Sequence, residues 1–179
     1  MDSEDIERSL EAILFAADRP LSQKELKALL SLKDAKALKE AMAALRKEYE
    51  GRSFELLFVA GGYQLYTRPE YVHLVKQLYR GRRPPRLSAQ ALETLAIVAY
   101  RQPVTRLEME RIRGVSVEGV LATLLERRLI RVVGREKGVG RPILYGTTKE
   151  FLAHFRLRDL ADLPTPGPRK TGEEATDGP

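Results

Sequence analysis

The sequence predicts a mainly α chain with small β-hairpins (α+β), folded as tandem winged helix-turn-helix domains. Three observations lead there. A helix–proline–capped-helix pattern occurs twice along the 179 residues. Each copy continues into a third apolar helical stripe. Each then runs into two β-rich segments joined by glycines, the plan of a helix-turn-helix followed by a wing.

The elements follow in order. Leu10-Glu11-Ala12-Ile13-Leu14-Phe15-Ala16-Ala17 aligns with Leu92-Glu93-Thr94-Leu95-Ala96-Ile97-Val98-Ala99. Ile6, Leu10, Ile13, Leu14 and Ala17 share helical spacing in the first copy, and Leu92, Leu95, Ala96 and Ala99 in the second. Pro20 and Pro103 close these helices. After a one-residue insertion, Pro20-Leu21-Ser22-Gln23-Lys24-Glu25-Leu26 matches Pro103-Val104-Thr105-Arg106-Leu107-Glu108-Met109. Ser22-x-x-Glu25 and Thr105-x-x-Glu108 are capping boxes that start a second helix, with Leu21 and Val104 placed as hydrophobic staples.

The third helix carries Leu38, Ala41, Met42, Leu45 and Tyr49 in the first copy, and Val117, Val120, Leu121, Leu124 and Leu125 in the second. Phe54–Val59 and Tyr63–Thr67 then form a hairpin across Ala60-Gly61-Gly62, where Gly61-Gly62 is expected to supply positive φ. The second hairpin pairs Ile130–Arg135 with Arg141–Tyr145 across a longer, glycine-rich connection. Short helices at Pro69–Tyr79 and Thr148–Phe155 end the copies. This places an N-terminal winged-helix domain at 4–79 and a C-terminal one at 87–158. The Arg/Pro-rich linker 80–86 between them is expected to be stiff, and the tail 164–179, poor in apolar residues, disordered.

Composition removes most chemistry. The chain has no Cys and two His, His73 and His154, read as helix residues at a core edge rather than ligands. It contains no phosphate-binding Gly-rich loop, nucleophile elbow or HExxH motif. Gly138-Val139-Gly140 leads into a strand, not a helix, and so reads as a wing tip rather than a dinucleotide fingerprint. A non-enzymatic protein with no cofactor and no bound metal is expected. No apolar stretch reaches the roughly 20 residues of a membrane span, and the start, Met1-Asp2-Ser3-Glu4-Asp5, is acidic where a signal peptide is basic. A cytoplasmic location without membrane attachment follows as an expectation.

The net charge of +6 is unevenly placed: residues 1–79 are nearly neutral, whereas 80–86 hold four Arg and no acid, and 87–160 hold 13 basic and eight acidic side chains. Base reading by a winged helix needs Arg, Lys, Asn or Gln projecting from the start of its third helix. The second copy offers Ser116, Glu118 and Thr123 there, with Arg127-Arg128 only at the far end. The first offers Asp34, Lys36, Lys39 and Glu40, nearly balanced. Sequence-specific recognition is disfavoured, and a DNA-binding transcriptional regulator is the alternative, not the leading, reading. Arg82, Arg83 and Arg86, and Arg135, Lys137 and Arg141 near the second wing, are candidates for weak, non-specific phosphate contact. Tyr63, Tyr66, Tyr100 and Tyr145 are candidate anchors for a protein partner, because aromatics concentrate in binding hot spots. Pro142 is expected to guard an edge strand.

From Pro84 to Pro164 the chain resembles the segregation and condensation protein B family in long phrases. The carriers are Arg86-Leu87-Ser88, Leu92 through Arg106, Ile112-Arg113-Gly114-Val115, Leu129-Ile130, Gly140-Arg141-Pro142-Ile143-Leu144-Tyr145-Gly146-Thr147-Thr148, Phe151-Leu152 and Leu160-Ala161-Asp162-Leu163-Pro164. The first domain matches through Glu11-Ala12-Ile13-Leu14-Phe15 and Gly61-Gly62-Tyr63-Gln64-Leu65. The resemblance implies a homodimer that binds a kleisin subunit, ScpA, and through it an SMC ATPase in a condensin-like complex of chromosome condensation and segregation at cell division. It further implies dimerisation through the first domain, kleisin binding largely through the second, and association with the nucleoid through the SMC complex.

Overall fold

The computed structural model describes residues 2–79, 86–138 and 140–165. They divide into two compact units, one built on the first half of the chain and the other on residues 86–160. The linker arginines Arg82 and Arg83, and all but the first two residues of the 164–179 tail, lie outside the described residues.

In the first unit, α1 (Ser3–Ala16) starts where the Asp2 carboxylate accepts from the Asp5 N–H at 2.8 Å. Ile6, Leu10 and Leu14, four residues apart, form its buried stripe. α2 (Gln23–Leu29) is started by the predicted box: Ser22 Oγ accepts from the Glu25 N–H, and the Glu25 carboxylate accepts from the Ser22 N–H at 2.9 Å. α3 (Ala35–Glu48) buries Leu38, Ala41, Met42 and Leu45 against α1. A fully buried Leu contributes about 1.5–3 kcal/mol, so these two stripes and Leu26 of α2 hold the unit together. The strands β1 (Phe54–Val59) and β2 (Gly62–Thr67) pair antiparallel in register. A 3₁₀ turn, Pro69–Tyr71, leads into α4 (Val72–Leu78).

The hairpin turn differs in one respect from expectation. Its two central residues are Ala60 (φ 51°) and Gly61 (φ 77°), whereas Gly62 already belongs to β2. Gly62 is needed for a different reason. A Cβ there would lie 2.8 Å from the Leu21 backbone, which runs alongside. Leu21 and Tyr63 exchange both backbone hydrogen bonds, at 2.9 and 2.8 Å.

The second unit repeats the plan. α5 (Ala89–Arg101) is capped by Ser88, β3 (Val104–Thr105) follows, and α6 (Arg106–Arg113) starts at the Thr105/Glu108 box. Gly114, in the left-handed region at φ 72°, ends α6. α7 (Glu118–Glu126), β4 (Ile130–Arg135), β5 (Ile143–Thr147) and α8 (Lys149–His154) complete it. The sheet order is β3-β5-β4, so the wing has three strands, and β5 begins and ends two residues later than predicted. Pro142 consequently precedes the middle strand and guards no edge. The outer strand on the wing side is β4.

Two apolar stripes shift. α5 buries Ala91, Thr94, Leu95, Val98 and Ala99, leaving Leu92 and Ala96 exposed; on α7, Leu125 is exposed while Val117, Leu121 and Leu124 are buried. The α5 face rotates because Thr94 is accommodated inside. Its hydroxyl donates to the Gln90 carbonyl at 2.9 Å and accepts from Arg113 at 2.6 Å. His73 and His154 are exposed on α4 and α8, further out than a core edge.

Candidate functional site

The internal repeat becomes exact at two of the four candidate tyrosines. Tyr63 lies opposite Leu21 and Phe58; Tyr145 lies opposite Val104 and Val132. Leu21 and Val104 are the equivalent residues just before each capping box. In both units the wing's returning strand is thus tied to the chain entering the second helix, and this position is a tyrosine. Its ring is half-buried in both. Tyr63 meets Phe58 edge-on at 4.9 Å, the Arg46 guanidinium sits 5.7 Å from its centroid, and its hydroxyl accepts from Gln23 at 3.4 Å. It forms the wall of a hollow with Leu38, Met42 and Arg46.

Tyr66 lines a different groove in the same unit, with Phe15, Tyr49, Phe54 and Leu65. Phe15, 84% exposed, projects from α1 at its rim. Tyr49 forms the floor, donating to Glu11 at 3.0 Å and meeting Phe54 edge-on. Burial foremost, then the Glu11 carboxylate, raises its phenol above the ordinary value of 10.0, so it remains a donor. Tyr66 donates to Gln64 at 2.9 Å across the strand surface. Tyr100 is exposed near the end of α5. Within the first unit, Tyr63 and Tyr66 therefore line different hollows.

The capping carboxylates carry the clearest electrostatic signature. The Ser22 hydroxyl, then the Ser22 N–H, then Arg19 hold Glu25 down at about 2, from an ordinary 4.5. The Thr105 N–H and hydroxyl lower Glu108 in the same way. These are structural anions at helix starts. Among the described residues, no group of three or more His, Asp or Glu is placed to hold a metal, and no helix is long and apolar enough to cross a membrane.

The surfaces that would read DNA are poorly equipped. α7 contains no Lys, Arg, Asn or Gln, and Glu118 at its start is paired with Arg106 at 3.4 Å. On α3, Lys36 pairs with Glu40 at 3.8 Å, and Arg46 is committed to Tyr63. Arg86 is exposed just before α5, and Arg135, Lys137 and Arg141 are exposed around the second wing. Arg135 reaches across the wing to donate to the Arg141 carbonyl at 3.2 Å.

A family model described as segregation and condensation complex subunit ScpB matches residues 8–166. The chain belongs to the ScpB family. A relative from Moorella thermoacetica named segregation and condensation protein B is 51% identical over 164 residues, 90% of this chain and 83% of its own. Another of that name, from Syntrophotalea carbinolica, is 48% identical over 167 residues, covering 92% of this chain and 84% of the relative. Among solved structures, ScpB from Mycobacterium tuberculosis is 34% identical, covers 87% of this chain and 97% of its own, and superposes at a TM-score of 0.42. A dimer of a ScpB N-terminal domain complexed with a ScpA peptide is 28% identical over 42% of this chain and 95% of its own, at 0.38. Membership of the ScpB family rests on the sequence matches.

The structure explains why phrases of the ScpB resemblance sit where they do in the second unit. Gln102 takes the Thr147 N–H at 2.7 Å and donates to the Thr147 hydroxyl at 3.0 Å. A Cβ on Gly146 would lie 2.9 Å from the same Gln102 oxygen. Glu93 and Thr94 both engage Arg113, at 3.0 and 2.6 Å. These matched residues bond to one another within the unit. Exposed apolar residues that the sequence reading passed over include Phe15, Val132 and Val133. The valine doublet between Arg131 and Arg135 was the available signal, since it breaks the alternation of a half-buried strand.

Proposed function

We propose that this chain is a non-enzymatic adaptor subunit of a condensin-like SMC–kleisin complex. It binds the kleisin ScpA as a homodimer and so supports chromosome condensation and segregation at cell division, reaching the nucleoid through the SMC ATPase. The observation that carries the reading is the family match across residues 8–166. The physical chemistry agrees with it: the second unit's recognition helix offers an exposed, paired acid where a DNA reader needs donors. Within this reading the first unit supplies the dimer contact and the second contributes much of the kleisin binding. Tyr63, Tyr66, Tyr100 and Tyr145 are partner anchors, with the exposed Phe15 at the rim of the groove that Tyr66 lines.

The test is light scattering on a sizing column, alone and with ScpA. The expected result is a mass near twice 20.2 kDa alone, moving into a stable larger complex with ScpA. A species that ignores ScpA and co-elutes with one particular duplex sequence would instead identify a DNA-binding regulator.

A further inference from the structure

The outer edge of β4 has a combination of features found at no other strand among the described residues. In the order β3-β5-β4, no strand among the described residues pairs with its outer side. Only Ile130 of its six residues is buried. Val132 and Val133 are 51% and 41% exposed, with a bulge between Val132 and Gly134. Arg131 and Arg135 bracket the valines, and Lys137 and Arg141 extend the positive charge along the wing. Two other arginines of this unit are neutralised: Arg106 by Glu110 and Glu118, Arg113 by Glu93. Among the described residues no carboxylate pairs with Arg131, Arg135, Lys137 or Arg141.

Exposed strand edges invite pairing, and bulges and charges are the usual protection. Here the protection is selective. A second copy of this edge would set arginine against arginine, so self-pairing is opposed. An acidic strand meets the same arginines with attraction. Phosphate backbone would satisfy the charges but leave the valines and the free backbone edge without partners. We infer that the outer edge of β4 is a docking strip for an extended, acidic segment of a partner protein, added as a further strand of the wing. The segment carries acids placed to meet Arg131 and Arg135, about four residues apart, with apolar side chains between them over Val132 and Val133. The inference rests on the adaptor reading and assigns this segment to the kleisin.

The experiment uses the full chain, full-length ScpA, and fluorescein-labelled peptides tiling the whole of ScpA. The peptides that bind are expected to be acidic and to protect the Val132–Arg135 amides from hydrogen exchange. R131E/R135E should weaken binding roughly tenfold or more, whereas R131K/R135K retains most of it. Both side chains are exposed, and unchanged thermal melting confirms that the fold is intact. If ScpA binds wild type and R131E/R135E equally, or β4 gains no protection, the inference falls while the adaptor reading stands. If ScpA does not bind the wild type at all, the adaptor reading falls and the inference with it. Binding of a labelled duplex, lost in R131E/R135E while no peptide binds, overturns the inference in favour of nucleic acid.

Discussion

At Gly62 a single added carbon would lie 2.8 Å from the Leu21 carbonyl carbon and oxygen, in backbone that cannot turn aside as a side chain would. Gly62→Ala is therefore expected to destabilise the chain by about 1–3 kcal/mol, as overpacking does, with the loss read from urea unfolding. It should also weaken exchange protection at the Leu21 and Tyr63 amides, which bond each other. Glu25 gives a residue-scale effect of pH. Its carboxyl sits at about 2 in the folded chain against an ordinary 4.5. A depressed folded value stabilises fully above the unfolded value, and that contribution is lost as pH falls from 4.5 toward 2. Glu108 is displaced in the same direction. The urea midpoint is expected to fall below pH 4.5, and the Glu25→Gln/Glu108→Gln variant should show a shallower fall over the same range. An equally steep fall in the variant would assign the acid sensitivity elsewhere.

At the scale of elements, helices were legible where period and caps agreed. α1 and α3 bury stripes the sequence named, and both Ser/Thr-x-x-Glu boxes start the helices they were expected to start. Leu45→Ala on α3, at a site 1% exposed, should cost about 2–5 kcal/mol, measurable by calorimetry. What was not legible depends on tertiary partners. Thr94 reads as a surface residue until Arg113, 19 positions away, supplies its hydrogen bond. Val104–Thr105 is too short to read as a strand and becomes one only because β5 lies beside it. The role of Gly62 likewise depends on Leu21, some 40 positions upstream. The candidate tyrosines were singled out by residue type, and type alone did not show that Tyr63 and Tyr66 line different hollows.

For the molecule as a whole, charge sets what it meets and how tightly. The surplus giving +6 lies in the linker and the second half, and the second wing holds cations without acidic partners. Attraction of this kind is screened by salt and blind to base sequence. Unrelated duplexes are expected to compete equally for any DNA that the chain retains, and retention should drop steeply between roughly 50 and 200 mM salt. A footprint on one sequence would contradict this. ScpA held through β4 should survive the same salt better, since backbone pairing and valine burial add to charge.

The three-stranded wing has one more consequence, a matter of valence. β5 is saturated on both sides, by β3 and by β4. β3, two residues long, is too brief to hold a newcomer. Growth of this sheet is therefore one-directional and has a single vacancy, at β4. Each such sheet can seat one extended segment and no more, so a pair of second units offers two of these seats, and a lone kleisin strand would leave one of them empty.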